Sequence, residues 1–245
     1  MVKTYSLKAD GNTRLQPNFQ AYEFACPGTD VILIDEKLPP GLQVLRNCMN
    51  LEKIKVVCGY RTPEYNATLP NASKTSYHLK GMAADICCYK NGKIVDIKYA
   101  ACAAEVMGFD GIGLMQTCIH VDYRGYKSFF DENKKNTRIE NYGHKSWFTY
   151  LGVDNMDFMD NPFTAPKEVL RKGDEGDDVR WLQFELIKLG FLNLIAPNGT
   201  CNIDGSYGNR TETAVLAFQM AYFEDEAEWD GKFGPHSLKM LCEKK

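Results

Sequence analysis

The feature that most limits how this 245-residue chain can fold is a change of character at residues 151–167. This stretch mixes acidic residues, asparagine and two prolines, and its apolar residues follow neither a helical nor an alternating spacing. Such a pattern predicts a linker. The segments on either side are each long enough to bury a core. We therefore expect two domains, at 1–150 and 168–245.

The first segment has the pattern of a small mixed domain. Its apolar spacing predicts two helices, one of them rich in alanine, and its short apolar runs predict four strands. A polar stretch over 60–77 predicts a long loop, the kind of place where functional groups lie. The fold class expected is α+β, a small, mostly antiparallel sheet with flanking helices. The predicted helices cover 36–49 and 94–107, and the predicted strands cover 54–58, 82–89, 111–114 and 118–123.

The second segment contains an internal repeat. The sequence DGSYGNRT at 204–211 recurs as DGKFGPHS at 230–237. Each copy predicts a glycine turn followed by a helix, at 211–222 and 237–242. A preceding amphipathic helix over 178–189 completes a compact three-helix module.

Bulk properties exclude several function classes. A formal net charge of -3 argues against a nucleic-acid binder, which normally has a basic field. The start of the chain lacks the apolar core of a signal peptide, and no stretch reaches transmembrane length, so membrane insertion is not expected. Nine cysteines form no CxxC pair and no disulfide framework. Free thiols without an export signal predict synthesis in a reducing cytoplasm.

Three polar residues stand in places where burial would be costly. Asp85 interrupts an apolar strand, His120 lies in another, and His78 comes seven residues before Asp85. A buried carboxylate needs a partner or a metal, and a satisfied structural aspartate is the plain alternative. Two histidines and one carboxylate also form a standard three-ligand set for catalytic zinc, with the fourth position left to water.

The sequence around these residues resembles the zinc D-alanyl-D-alanine carboxypeptidase family. The resemblance covers roughly residues 17–125 and rests on several motifs in order: GYRTPEYN at 59–66, SYHLKGMAADI at 76–86, GIG at 111–113 and IHVD at 119–122. It implies the fold and metal site that this family shares with lysostaphin-type peptidases and the hedgehog signalling domain. It also implies Zn²⁺ as cofactor, held by His78, Asp85 and His120.

The resemblance also implies roles for residues beside the metal. Arg61 would face the substrate and pair with a carboxylate or a developing oxyanion; a surface role ordering the loop through Glu64 is the alternative. Ser76 would bind substrate or support the site, with a structural role in the loop as its alternative.

The general base is less clearly marked. Several relatives have an acidic residue three positions before the second histidine ligand, where this chain has Thr117. Asp122 is the nearest candidate, because strand alternation places it on the same face as His120. The alternative role of Asp122 is that of an acceptor that orients a ligand. His144 is a more remote option.

The C-terminal segment, over roughly 168–243, resembles three-helix peptidoglycan-binding domains. Its matching residues include LRKGDEGDDVRWLQ at 170–183 and AFQ at 217–219, and Gln183 and Gln219 are read as structural. Together the two resemblances imply a zinc peptidase that hydrolyses stem peptides or cross-links of peptidoglycan and is targeted by a domain that binds its glycan. Without an export signal the chain is similar to phage endolysins, which are made in the cytoplasm and act at the cell wall after release. The alternative is a wall-binding or phage structural protein that keeps the fold without catalysis.

Overall fold

A computed structural model of the protein describes residues 1–135 and 137–244. The chain forms two compact units, Met1–Val153 and Asp154–Lys245. The boundary lies inside the stretch expected to be a linker. The domain limits at 150 and 168 remain predictions.

Unit 1 combines short helices with one central sheet. Its helices are α1 (Leu7–Asp10), α2 (Leu38–Cys48), α3 (Pro63–Thr68), α4 (Ile97–Val106) and α5 (Trp147–Leu151). Its strands are β1 (Val2–Ser6), β2 (Arg14–Gln16), β3 (Phe19–Gln20), β4 (Val31–Asp35), β5 (Lys53–Cys58), β6 (Ala83–Lys90), β7 (Lys93–Ile94), β8 (Gly111–Leu114), β9 (Ile119–Asp122), β10 (Ser128–Asp131) and β11 (Thr137–Arg138).

The central sheet has the strand order β11-β10-β8-β9-β6-β5. Strand β7 pairs with the end of β6 on the edge opposite β5, beyond the part of β6 that pairs with β9. All its pairs are antiparallel except β8 with β10. Strands β1 and β4 form a separate antiparallel pair, as do β2 and β3. The α+β class with a mostly antiparallel sheet is therefore confirmed.

The predicted loop over 60–77 contains a helix, α3, which the composition of the loop did not indicate. Thr62 caps this helix, because its hydroxyl accepts a hydrogen bond from the backbone N–H of Tyr65 at 3.1 Å. Pro63 occupies the first helical position, where its missing N–H costs nothing. The predictions of β5, β6, β8 and β9 agree with the structure to within one or two residues.

Helix α4 packs its alanine-rich face on the sheet and ties α5 to the same core. Ala101, Cys102 and Ala103 have no exposed surface. At the end of α4, the Glu105 carboxylate accepts hydrogen bonds from the Ser146 hydroxyl at 3.0 Å and the Trp147 backbone N–H at 2.8 Å. These bonds hold the start of α5 against α4.

One pair of cysteines departs from the expectation of free thiols. Cys87 and Cys118 are joined by a disulfide with a Cα–Cα distance of 4.4 Å. They lie on β6 and just before β9, one step beyond the paired residues Ile86 and Ile119. The expectation failed because adjacency across a sheet depends on strand pairing, which cysteine spacing along the chain does not show.

Unit 2 contains the three predicted helices, α6 (Asp177–Lys188), α7 (Asn209–Tyr222) and α8 (Pro235–Glu243). Their apolar faces enclose a core that includes Leu182, Phe218 and Leu241. No helix in the described part of the chain is long and apolar enough to cross a bilayer.

The internal repeat of unit 2 is also a repeat of hydrogen bonds. Gln183 accepts from the Gly205 N–H at 2.9 Å and places its amide nitrogen 2.7 Å from Asp204 Oδ1. Gln219 bonds the Gly231 N–H and Asp230 in the same way, at 2.9 and 3.1 Å. The two glutamines thus secure the two DG turns, which fits a structural role.

Candidate metal centre

Three neighbouring strands of the central sheet, β5, β6 and β9, each contribute one polar residue to a row that runs across the strands. Cys58 on β5 lies opposite Asp85 on β6, and Asp85 lies opposite His120 on β9. Directly opposed residues point to the same face of a sheet and lie close together. The row therefore brings a thiol, a carboxylate and an imidazole to one place.

A β-bulge decides that Cys58 belongs to this row. Val56 pairs with Ile86, and the register then shifts, so that Cys58 rather than Val57 pairs with Asp85. Val57 is the extra residue and is 54% exposed. A bulge re-aims the side chain that follows it, and here it directs the Cys58 thiol toward the same face as Asp85.

His78 reaches the row from a short 3-10 helix over Tyr77–Lys80. Ser76 caps this helix, and its hydroxyl accepts from the His78 N–H at 3.4 Å. Gly81 ends it at a φ of +67°, where a Cβ would collide with the backbone of Leu33. The turn can therefore pack against β4 only with glycine at this position.

The side-chain atoms of the three predicted ligands converge. Asp85 Oδ1 lies 3.2 Å from His78 Nε2 and 3.0 Å from His120 Nδ1, and the two ring nitrogens are 3.1 Å apart. All three residues are buried, at 2 to 6% exposure.

Each imidazole is oriented by a partner on its other nitrogen. His78 Nδ1 lies 2.6 Å from the Gly59 carbonyl oxygen, and His120 Nε2 lies 2.8 Å from Asp122 Oδ2. Both partners accept, so each of these nitrogens carries the proton, and His78 Nε2 and His120 Nδ1 remain as metal-binding atoms.

Asp122 lies on the far side of the His120 ring from Asp85 and has no exposed surface. Besides His120, it pairs with Arg124, whose Nε donates to Asp122 Oδ1 at 2.8 Å. The carboxylate occupies space that only glycine leaves open on the neighbouring strand, because a Cβ on Gly111 would collide with it. This accounts for the first glycine of the GIG motif.

Arg61 bridges two members of the row. Its Nη2 donates to Asp85 Oδ2 at 2.8 Å and its Nε donates to the Cys58 sulfur at 3.0 Å. The side chain remains 15% exposed. Its ion pair with Asp85 gives it a role in positioning the site beyond the two roles considered from sequence.

The pKa values of these groups depend on the hydrogen bonds among them. Burial opposes ionisation of Asp85, but hydrogen bonds from His120 and His78 outweigh it and hold the Asp85 pKa well below its usual range. Burial alone would lower the pKa of His120; hydrogen bonds to Asp122 and Asp85 raise it to about 9. The cluster therefore favours a positive charge at its centre.

These residues fit a zinc ion. Nitrogen and oxygen ligands at the usual zinc distances of about 2.0–2.1 Å stand roughly 3.3 Å apart in a tetrahedron. The three observed separations, 3.0 to 3.2 Å, are close to that value. The two free nitrogens and the carboxylate oxygen already face one another, as the donors to a bound cation would.

An open cleft of about 970 Å³ lies over the centre. Besides the three predicted ligands it is lined by Arg61, Ser76, Arg124 and Glu132. Partial burial raises the pKa of Glu132, and the negative charge of Asp85 raises it further. Sequence reasoning missed Glu132 because it begins a 3-10 helix after β10, outside every motif.

The candidate His144 and the position where relatives have an acidic residue, Thr117, are not among the residues that line this cleft. His144 packs edge-on against Tyr150, with ring centroids 5.5 Å apart. Thr117 is exposed, and its hydroxyl lies 3.7 Å from the sulfur of Cys118. The roles predicted for His78, Asp85, His120, Arg61, Ser76 and Asp122 remain predictions, although the fold brings these side chains together.

Comparison with protein families agrees with this geometry. Residues 19–122 match the family model described as peptidase M15, and residues 175–235 match that of a putative peptidoglycan binding domain. The first match contains every predicted ligand, and the second contains both DG turns. Searches of curated proteins and of solved structures found no match to the chain.

Proposed function

We propose that this chain, which carries an M15 peptidase domain followed by a peptidoglycan-binding domain, is a zinc-dependent hydrolase of peptide bonds in peptidoglycan. The two family matches support a cell-wall peptidase. The finer assignment rests on the convergence of His78, Asp85 and His120, with separations of 3.0 to 3.2 Å, beneath an open cleft.

Bound zinc would supply Lewis acidity, which polarises a carbonyl group and lowers the pKa of water. The chain's own residues hold the ligands in place for this chemistry. Gly59 orients His78, Asp122 orients His120, and Arg61 holds the outer oxygen of Asp85.

Two arginines give the cleft affinity for carboxylates. Arg61 and Arg124 both line it, with side chains 15% and 13% exposed. Each is anchored by an aspartate through part of its guanidinium group, and its remaining N–H groups are available to a substrate. We propose that they position the carboxylates of stem peptides.

We propose Glu132 as the group that accepts the proton of the attacking water. It lines the same cleft as the predicted ligands, and the charges of Asp85 and His120 act on its pKa, the first raising and the second lowering it. Asp122 is placed differently, because the His120 ring separates it from Asp85 and both its oxygens are engaged. Its position favours the second of the two roles considered from sequence, that of orienting His120.

The deciding experiment is digestion of purified peptidoglycan by the wild type and by His78→Ala, with mass spectrometry of the products. We expect new peptide termini from the wild type only, and their masses identify the bond that is cut. His144→Ala serves as the matched control, since His144 packs on Tyr150 and is not among the residues that line the cleft. A wild type that yields no new termini would refute the enzyme and favour the non-catalytic wall-binding alternative.

Metal analysis tests the ligands separately. We expect about one zinc per chain in the wild type and in His144→Ala, and much less in His78→Ala. An active wild type free of metal would refute the ligand assignment.

We also propose that unit 2 holds the enzyme on its substrate and that the chain acts at the cell wall, as endolysins do after release. Tethering raises the effective concentration of the cleavable bonds near the cleft. The His78→Ala variant should therefore still sediment with insoluble peptidoglycan. If it remains in solution while properly folded, the tethering role is wrong.

A further inference from the structure

Cys58 is a fourth potential donor beside the metal centre, and the proposed function makes no use of it. Its sulfur, a ring nitrogen of His78 and a carboxylate oxygen of Asp85 all lie within 4.8 Å of one another. Cysteine sulfur and histidine nitrogen are the usual donors of zinc sites, with carboxylates as a third type. This set shares His78 and Asp85 with the predicted ligands and adds a thiol. His120 joins it through the 3.0 Å contact of its Nδ1 with Asp85 Oδ1.

Two independent features hold the thiol at this place. The bulge at Val57 brings Cys58 opposite Asp85 in the sheet. The guanidinium of Arg61 then donates to the sulfur at 3.0 Å and to Asp85 Oδ2 at 2.8 Å, so one rigid group fixes both side chains.

The number of protein donors distinguishes structural from catalytic zinc sites. Structural zinc sites have four protein donors in a tetrahedron, whereas catalytic sites have three and leave the fourth position to water or substrate. His78, Asp85 and His120 by themselves form the catalytic type. With Cys58 the centre has the donor number of the structural type.

We propose that Cys58 is a fourth protein ligand of the metal and closes the centre at rest, so that substrate is processed only after the thiolate has left. This inference rests on the proposed function, because it assigns a regulatory ligand to the same centre. Only the end of one strand has to move. Strand β5 stands at one end of the strand order of the central sheet, and Cys58 is its final residue, next to the exposed Val57. A shift confined to this strand end would free the position.

The test replaces zinc by Co²⁺ in the full-length chain and records its absorption. Thiolate bound to Co²⁺ produces a charge-transfer band in the near ultraviolet, which nitrogen and oxygen donors do not produce. We expect this band in the wild type and its complete loss in Cys58→Ser. We also expect Co²⁺ to bind the variant at least about tenfold more weakly, as is usual when a metal centre loses a partner.

Cys242→Ser is the matched control. It removes an exposed thiol from unit 2 and leaves the same number of cysteines as Cys58→Ser. We expect it to keep the band. X-ray absorption at the zinc edge of the wild type needs no variant, and one sulfur at about 2.3 Å is the expected result.

Activity decides the closing role. At saturating zinc, Cys58→Ser should hydrolyse peptidoglycan faster than the wild type, because its centre has an open position. Absence of the band and of the sulfur shell overturns the proposal, even where the wild type is active and the proposed function stands. Equal rates in the two proteins overturn the closing role. A band in a chain whose wild type and variant both fail to cut peptidoglycan supports Cys58 as a ligand and refutes the proposed function instead.

Discussion

Replacing Asp122 by asparagine separates the two roles that this residue can have. The carboxylate accepts hydrogen bonds from His120 Nε2 and from Arg124 Nε, both at 2.8 Å, and it is fully buried. Asparagine keeps the size of the side chain and one acceptor oxygen. It lacks the negative charge, and its amide group would face a donor of either His120 or Arg124.

The expected loss follows from these contacts. One charge-assisted hydrogen bond is lost outright, which costs about 1.5–3 kcal/mol of folding free energy. The His120 ring also loses part of its orientation. Removing the outer partner of a metal-bound histidine commonly lowers metal affinity by about 10–100-fold, which is roughly 1.4–2.7 kcal/mol. At saturating zinc, the rate should return to within about tenfold of the wild type.

The assay measures zinc affinity by competition with a chromophoric chelator, and then the rate of peptidoglycan hydrolysis at a zinc concentration that saturates each protein. Asp110→Asn is the control, because Asp110 accepts from the Gly125 N–H and makes no bond to a predicted ligand. An Asp122→Asn variant with unchanged zinc affinity and a rate reduced about 10²–10⁴-fold at saturation would refute the orienting role and make Asp122 the base.

Three further predictions test other parts of the chain. Glu132→Gln should lower the hydrolysis rate by about 10²–10⁴-fold at unchanged zinc affinity, and an unchanged rate would exclude Glu132 as the base. Burial raises the pKa of Glu105 from 4.5 to about 7, although Ser146 and Trp147 donate to it, so the folded chain binds this proton more tightly than the unfolded chain. The stability that this proton contributes is therefore present below pH 4.5 and lost as the pH rises to 7. Over that range the unfolding free energy of the wild type, measured in urea, should fall by up to about 3 kcal/mol relative to that of Glu105→Gln. A difference between the two proteins that does not change with pH would contradict the raised pKa. Gln183→Ala leaves buried groups of a DG turn without partners and should destabilise unit 2 by about 2–4 kcal/mol in urea unfolding followed by tryptophan fluorescence, whereas a loss below about 0.5 kcal/mol would show that the turn holds without it.

Local pattern was sufficient for the parts of the structure that depend on local physics. Apolar spacing located α2, α4, β5, β6, β8 and β9, because period-two and period-3.6 burial is visible along the chain. The same alternation put His120 and Asp122 on one face of β9, and their hydrogen bond agrees with it. The repeated DG turns of unit 2 were recognisable because glycine at positive φ and a following helix are local features.

Pairing across the sheet was beyond such reasoning. The disulfide between Cys87 and Cys118 and the approach of Asp85 to His120 both depend on which strands lie side by side and in which register. Glycines of the GIG motif had no evident purpose in sequence. In the structure, Gly111 leaves room for Asp122.

His78, Asp85 and His120 could be predicted as metal ligands without a structure. Two imidazoles and a carboxylate are a usual zinc set, and the motifs around them resemble a zinc peptidase family. What surrounds these three residues depends on how the chain folds. The bulge at Val57 turns Cys58 toward the metal centre, and the 3-10 helix after β10 brings Glu132 to the cleft. Bulges and the paths of loops depend on packing between segments that are distant in sequence, so the spacing of residues along the chain does not predict them.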